Sequence, residues 1–249
     1  MAGMPLAGST TANWQDCHVA ERNWTVVVPV KRLGSAKSRL RGALDGVPHE
    51  LLALALAEDT AEAVLGCPAV RELLVVTNDP EATRALGRLG ARIVAEPPAA
   101  GLNPAFTRGA AAASGGPVAA LTADLPALRP AELAEALRAA AGPPGVRRFV
   151  ADAPGTGTVL LTAAPGADLD PRFGPGSAAA HTASGARPLT GAWPTLRRDV
   201  DTPADLRAAV ALGLGRHTAA VTRRSAPACR ARGRGDPTVG AGLPSTRPR

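Results

Sequence analysis

The 249-residue chain is 45% hydrophobic and 2% aromatic, a globular composition, and its formal net charge is +7. No stretch approaches the roughly 20 apolar residues of a membrane span, and the N-terminus lacks the basic start and apolar core of a secretory signal. Cys17, Cys67 and Cys229 stand far apart without paired spacing, which argues against a disulfide framework or a zinc site and fits a reducing cytoplasm.

The positive charge is local. Eight arginines and one acid, Asp236, lie between Arg216 and Arg249, a surplus of seven that leaves the rest of the chain neutral. That segment is rich in Gly, Pro, Ser and Thr and reads as a disordered basic tail over residues 216–249. It carries no interleaved aromatics to stack bases, so nucleic acid is not an expected partner.

Residues 1–23 show no periodicity and read as a flexible N-terminal extension, leaving 24–215 as one α/β domain. A first strand is predicted over Trp24–Val30, where β-branched Val26, Val27 and Val28 suit a buried central position and Pro29 stops the ladder. A small-residue loop and a short helix from Lys37 to about Leu44 follow, then an amphipathic helix over Pro48–Leu65. Strand Leu73–Val76 ends in Thr77-Asn78-Asp79-Pro80, a turn that also caps a helix over Glu81–Leu89. Strand Ala91–Ala95, helix Leu102–Ala113, strand Val118–Thr122 and helix Arg129–Ala141 continue the alternation. This pattern implies right-handed crossovers and a mostly parallel central sheet covered on both faces.

The second half is less regular. Arg147–Ala151 and Thr158–Thr162 read as strands joined by a glycine-rich turn, consistent with a hairpin or a close approach to ligand. Phe173-Gly-Pro-Gly-Ser177 leads into a short helix with His181, a residue read as structural or surface. Trp193–Arg198 reads as a late strand, and Thr202 or Asp201 caps a helix with Pro203 in its first turn, running to Leu212.

Lys31 and Lys37 are the only lysines, against 26 arginines. A chain so biased to arginine has a specific use for two lysines six positions apart, and a mobile point charge for phosphate is one. Gly34, Ser35 and Ala36 are small enough to let backbone amides approach an anion. The segment is similar to a P-loop but is not one, because Ala36 stands where the second glycine would precede the lysine.

Ligands of open α/β sheets bind beyond the carboxyl ends of the strands. That rule gathers the Lys31–Lys37 loop, Asn78 and Asp79, Gly101–Asn103, and Asp124 on one edge. Magnesium takes one or two carboxylates plus phosphate oxygens and waters, so Asp124 is a candidate ligand with Asp201, or Asp199, as the second. Alone, each has a plainer reading: Asp124 as a turn former, Asp201 as a helix cap, and Gly155, Gly157, Gly174 and Gly176 as turn glycines.

Taken together, VVPVKRLGSAKSRL, TND, GLN at 101–103, TADLPAL around Asp124, GTGT at 155–158, FGPGS at 173–177 and DVDTPADL at 199–206 form a set. The set resembles the 2-phospholactate or phosphoenolpyruvate guanylyltransferases of coenzyme F420 biosynthesis, over roughly Trp24–Gly215. The resemblance implies a nucleotide-diphosphosugar-transferase-like, Rossmann-like three-layer α/β/α fold that joins GMP from GTP to a small phosphorylated acid and releases pyrophosphate. It implies Thr158, Gly174 and Ser177 around the acid and Asp124 and Asp201 around Mg²⁺, with Asp199 as a substitute. It also implies Gly101 and Asn103 at the nucleotide, with Gly34, Ser35 and Asn78 alongside. Lys37, helped by Lys31 and Arg39, would offset charge on the leaving pyrophosphate. Phosphoenolpyruvate is favoured as acceptor, with 2-phospho-L-lactate the alternative and a catalytically silent GTP-binding module the rival of another class. Oligomeric state stays open, a homodimer being one option.

Overall fold

The computed structural model describes residues 23–97 and 101–225. The first strand, β1 (Trp24–Pro29), is buried along its whole length and lies between β2 (Val70–Val76) and β4 (Val118–Leu121), parallel to both. With β3 (Arg92–Val94), β5 (Arg147–Ala151), β6 (Thr158–Ala163) and β7 (Arg187–Pro188) it forms a seven-stranded sheet of order β3-β2-β1-β4-β6-β5-β7. Only β6 runs against the others, pairing antiparallel with β4 and β5, which realises the expected hairpin.

Side chains alternate across this sheet, and the two faces carry separate cores. Val26 and Val28 pack with Leu73, Val75 and Leu160 under α1 (His49–Leu65), α2 (Pro80–Leu89) and α4 (Pro130–Ala140). Val27, Leu74, Val76, Ala120 and Leu161 face the other way, beneath Ala105 and Phe106 of α3 (Leu102–Ala111). The fold is the three-layer α/β/α arrangement. Glycine has a packing reason inside α3: a Cβ on Gly109 would lie 2.2 Å from Val27 Cγ1 and 3.0 Å from Val76 Cγ2. Gly109→Ala should destabilise the protein by about 1–3 kcal/mol, the usual range for overpacking, despite alanine's better helix propensity. Urea unfolding checks this; an unchanged or raised midpoint would mean that α3 does not seat this closely.

Around the outer side of α1 a third apolar cluster joins Leu52 and Leu56 to Val200, to Leu206 and Ala209 of α6 (Pro203–Leu212), and to Val221 of α7 (Arg216–Ser225). α7 corrects the boundary of the basic tail, because residues 216–225 are helical rather than disordered. Its start is held by Asp59 of α1, whose two carboxylate oxygens accept from the backbone N–H groups of His217 (2.9 Å) and Thr218 (2.8 Å). The rest of that tail, 226–249, and the N-terminal extension up to residue 22 lie outside the described residues, as do Cys17 and Cys229. Cys67 is buried, and among the described residues no helix is long and apolar enough to cross a membrane.

Two other expectations are corrected. The helix from Lys37 shrinks to a single 3₁₀ turn, Ser38–Leu40, because Lys37 itself sits in the left-handed region (φ 52°) and Gly42 turns the chain again (φ 74°). Trp193–Arg198 is not a strand. Two of its backbone donors go instead to a helix, Glu132 of α4 accepting from Thr195 N–H (2.9 Å) and Leu196 N–H (3.2 Å); Arg197 N–H turns back to the Trp193 carbonyl (3.0 Å), and Glu135 accepts from the Trp193 indole side chain (3.2 Å). The Thr202 cap of α6 is as expected, with a reciprocal bond between Thr202 and Asp205.

Candidate active site

The parallel strands β1 to β4 end on one edge of the sheet, and reversed β6 begins there. Ala151 at the end of β5 pairs with Thr158, and Leu121 at the end of β4 pairs with Leu160. This reversal brings Thr158, a strand-starting residue, to the same edge as Asp124. The loops leaving that edge enclose a cleft of about 720 Å³, within the range of small-molecule sites.

One wall is acidic. Asp124 lies three residues beyond β4, and its backbone carbonyl accepts from Val200 N–H at 3.0 Å, which draws Asp199 and Asp201 to either side of it. Lys37 reaches in from the opposite loop. Its Nζ donates to Asp124 Oδ2 and, at 2.6 Å, to Asp201 Oδ1. Burial works against the Lys37 ammonium, but the Asp124 and Asp201 carboxylates outweigh it and hold its pKa above the ordinary lysine value. One lysine does not balance this wall. Among the described residues Asp124 Oδ1 is buried without a hydrogen-bond partner, and the Asp199 carboxyl is pushed up to about 7 by burial and by the charges of Asp124, Asp201 and Asp152. Hard oxygen donors with surplus negative charge and one orphaned oxygen fit a divalent cation such as magnesium.

The loop bearing Lys31, Ser35, Lys37 and Arg39 forms the facing wall. It is anchored by Asp79, the cap of α2, whose Oδ1 accepts from Glu81 and Ala82 N–H (2.9 Å each) while Oδ2 accepts from Leu33 N–H (3.0 Å). Burial raises the Asp79 carboxyl, but these three amide donors prevail and its pKa lies below the usual carboxylate value.

The far end of the cleft holds Thr158, Gly174 and Ser177. Gly174 and Gly176 adopt φ 140° and 71°, a backbone that L side chains rarely take, and so fold the Phe173–Ser177 loop over the start of α5 (Ser177–Ala183). Ala178 N–H donates to Thr156 O (3.1 Å), fastening this loop to the β5–β6 turn.

Ten of the anticipated residues therefore meet in one cleft: Lys31, Ser35, Lys37, Arg39, Asp124, Thr158, Gly174, Ser177, Asp199 and Asp201. Gly34, Asn78, Gly101 and Asn103 are not among its lining residues. Asn78 ties the β2 and β3 loops together through both backbone groups of Glu96. Asn103 does the same for Phe173, accepting from its N–H at 2.7 Å and donating to its carbonyl at 3.1 Å. Three further residues matter: Asp152, Phe173 and His181. Asp152 directly follows β5 as Asp124 follows β4, so the strand-end rule could have found it, and it accepts from the Thr156 and Gly157 amides (2.9 Å each). His181 is fully buried, not on the surface.

An α/β sheet whose strand ends present lysine opposite a carboxylate cluster is the architecture of a nucleotidyltransferase. Residues 31–231 match the MobA-like NTP transferase domain. The fold is shared with a nucleotidyl transferase from Methanothermobacter, at a TM-score of 0.52 and 20% identity over 76% of this chain and 97% of that one. The phosphoenolpyruvate guanylyltransferase of Salinispora arenicola is 64% identical over 204 residues, 82% of this chain and 95% of the relative. That of Geodermatophilus obscurus is 60% identical over 208 residues, with the same coverage of each chain, 82% and 95%. The chain belongs to the MobA-like NTP transferase family and, within it, to the phosphoenolpyruvate guanylyltransferases.

Proposed function

We propose that this protein transfers GMP from GTP to phosphoenolpyruvate, giving enolpyruvoyl-2-diphospho-5'-guanosine and pyrophosphate, as a cytoplasmic step of coenzyme F420 biosynthesis. The observation that carries the reading is the meeting of Lys37 and the Asp124–Asp199–Asp201 group with Thr158, Gly174 and Ser177 in one cleft. In the proposed step a phosphate oxygen of phosphoenolpyruvate attacks the α-phosphorus of GTP. That P–O bond forms as the bond to the β-phosphate breaks, and pyrophosphate leaves with the electron pair. The attacking phosphate is already ionised at neutral pH, so no general base is required and catalysis is positioning with charge neutralisation. Lys37, Lys31 and Arg39 lie along the cleft to neutralise the triphosphate, while Thr158, Ser177 and the Gly174 turn position the acceptor.

Asp124, with Asp201 and Asp199, would hold magnesium, which supplies charge neutralisation and alignment of phosphate oxygens. Asp199, with its pKa raised to about 7, is largely protonated below that pH, and a cation must displace the proton. Magnesium affinity should therefore rise with pH through about 7 and then level off, by up to about tenfold per unit on the rising limb for one released proton. Calorimetric titration of magnesium at pH 6 and pH 8 measures this, and equal affinities would remove Asp199 from the ligand set.

The functional test is pyrophosphate release with each nucleoside triphosphate in turn, with phosphoenolpyruvate, 2-phospho-L-lactate or no acceptor. Release with GTP that depends on phosphoenolpyruvate is expected. Release dependent only on 2-phospho-L-lactate, or none despite GTP binding, would overturn the assignment.

A further inference from the structure

His181 lies on α5 with no exposed surface, edge-on to Phe173 (ring centroids 5.2 Å apart) and tilted against Phe149 (5.8 Å). Both ring nitrogens are engaged. Nε2 is 3.0 Å from the backbone N of Arg172, and Nδ1 is 2.9 Å from Thr158 Oγ1. A backbone N–H only donates, so Nε2 must present its lone pair. In a neutral imidazole the single proton is then on Nδ1, which donates to Thr158 Oγ1. Burial, joined by the positive charges of Arg147 and Arg172 and opposed by Asp170, keeps the ring neutral with a pKa of about 4.

This fixes what the threonine can do. One lone pair of its oxygen accepts from the ring, and among the described residues its own hydroxyl proton has no other partner, which leaves that proton to be donated. Thr158 lines the cleft beside Gly174 and Ser177. We propose that His181 is a positioning residue: its Nδ1–H orients the Thr158 hydroxyl so that its proton points into the cleft as a donor, favouring an anionic oxygen of the acceptor's phosphate or carboxylate. The inference rests on the reading of that end of the cleft as the acceptor site, while the tautomer stands apart from it. His181 touches no reacting atom. The Arg172 N–H, on the chain leading into the Phe173–Ser177 loop, thus sets the proton on a residue across the cleft wall.

Two measurements on the full chain test this. Two-bond proton–nitrogen correlation NMR of the ¹⁵N-labelled protein at neutral pH reads the tautomer, with the His181 signal assigned by its loss in His181→Asn. The Nδ1–H form is expected; an Nε2–H ring or an imidazolium would overturn the proposal whatever the enzyme's substrate. The second is a kinetic cycle. Asparagine can place an amide N–H near the Nδ1 position, so His181→Asn should retain acceptor binding, whereas His181→Leu should raise the phosphoenolpyruvate KM about tenfold, the worth of one charge-assisted hydrogen bond. Its GTP KM should be unchanged. In a Thr158→Val background the same His181→Leu change should add less than about twofold, since its effect runs through the missing hydroxyl. An equal loss in both backgrounds, or a loss shared by GTP, would make His181 a packing residue and overturn the proposal. Wild-type protein that turns over no phosphoenolpyruvate would instead refute the functional assignment, with the tautomer result still deciding the His181–Thr158 bond.

Discussion

Asp124→Asn lowers the maximal rate of pyrophosphate release by about 10³-fold, an effect of the size seen when one preorganised electrostatic contact to a developing charge is removed. The amide has nearly the same shape, so the loss comes from charge. Asp124 is the carboxylate to which the rest of the acidic wall is fastened, through its carbonyl to Val200 and its Oδ2 to Lys37. Among the described residues its Oδ1 has no partner, which leaves one buried oxygen available to a cation. With asparagine there, the Lys37 ammonium faces an amide, and the proposed magnesium site loses one of its three carboxylates. Steady-state rates at saturating magnesium, with a circular dichroism melt to establish folding, decide the matter. A folded Asp124→Asn protein retaining more than about a tenth of the rate would place the reaction elsewhere.

Lys37 should be nearly as costly, and here backbone and charge can be separated. The residue sits at φ 52° and ψ 39°, where any L side chain costs about 1–2 kcal/mol, so its left-handed turn is strained as well as charged. Lys37→Gly relieves that strain and Lys37→Ala does not. The glycine variant should unfold at higher denaturant than the alanine variant, by about 1 kcal/mol, while both lose about 10²-fold in turnover. Equal inactivity at unequal stability would assign the loss to the ammonium. If Lys37→Gly recovered activity, the lysine would be a backbone device, and the phosphate role would pass to Lys31 or Arg39.

Much of this site was legible in the chain because its signals are local. The apolar runs and the Asp79 and Thr202 caps each need only a few neighbouring residues to be read, and the lysine count needs only the composition. The strand-end rule then collected Asp124 with the lysine loop. What it missed depended on relations between distant segments. The reversal of β6, which the glycine-rich turn before it allows but does not require, carries Thr158 to the edge, where the Asp152 charge also acts on Asp199. Asn103 reads as a nucleotide contact from the strand-end rule and the family resemblance; in the structure the Phe173 backbone, 70 residues later, takes both ends of its amide. The Trp193–Arg198 segment has strand-like residues, and its amides are claimed by Glu132 of a helix more than 60 residues earlier. α7 was hidden by composition. Its arginines belong to a basic run, while the feature that orders it, the Asp59 carboxylate cap, lies over 150 residues upstream.

The most direct test of the account is phosphorus NMR of a reaction containing the wild-type protein, GTP, magnesium and phosphoenolpyruvate. A new pair of coupled diphosphate resonances should grow in step with pyrophosphate, as the phosphoenolpyruvate phosphate becomes joined to the α-phosphorus. Pyrophosphate accompanied by free GMP, with the phosphoenolpyruvate signal unchanged, would show hydrolysis in place of transfer and would contradict it.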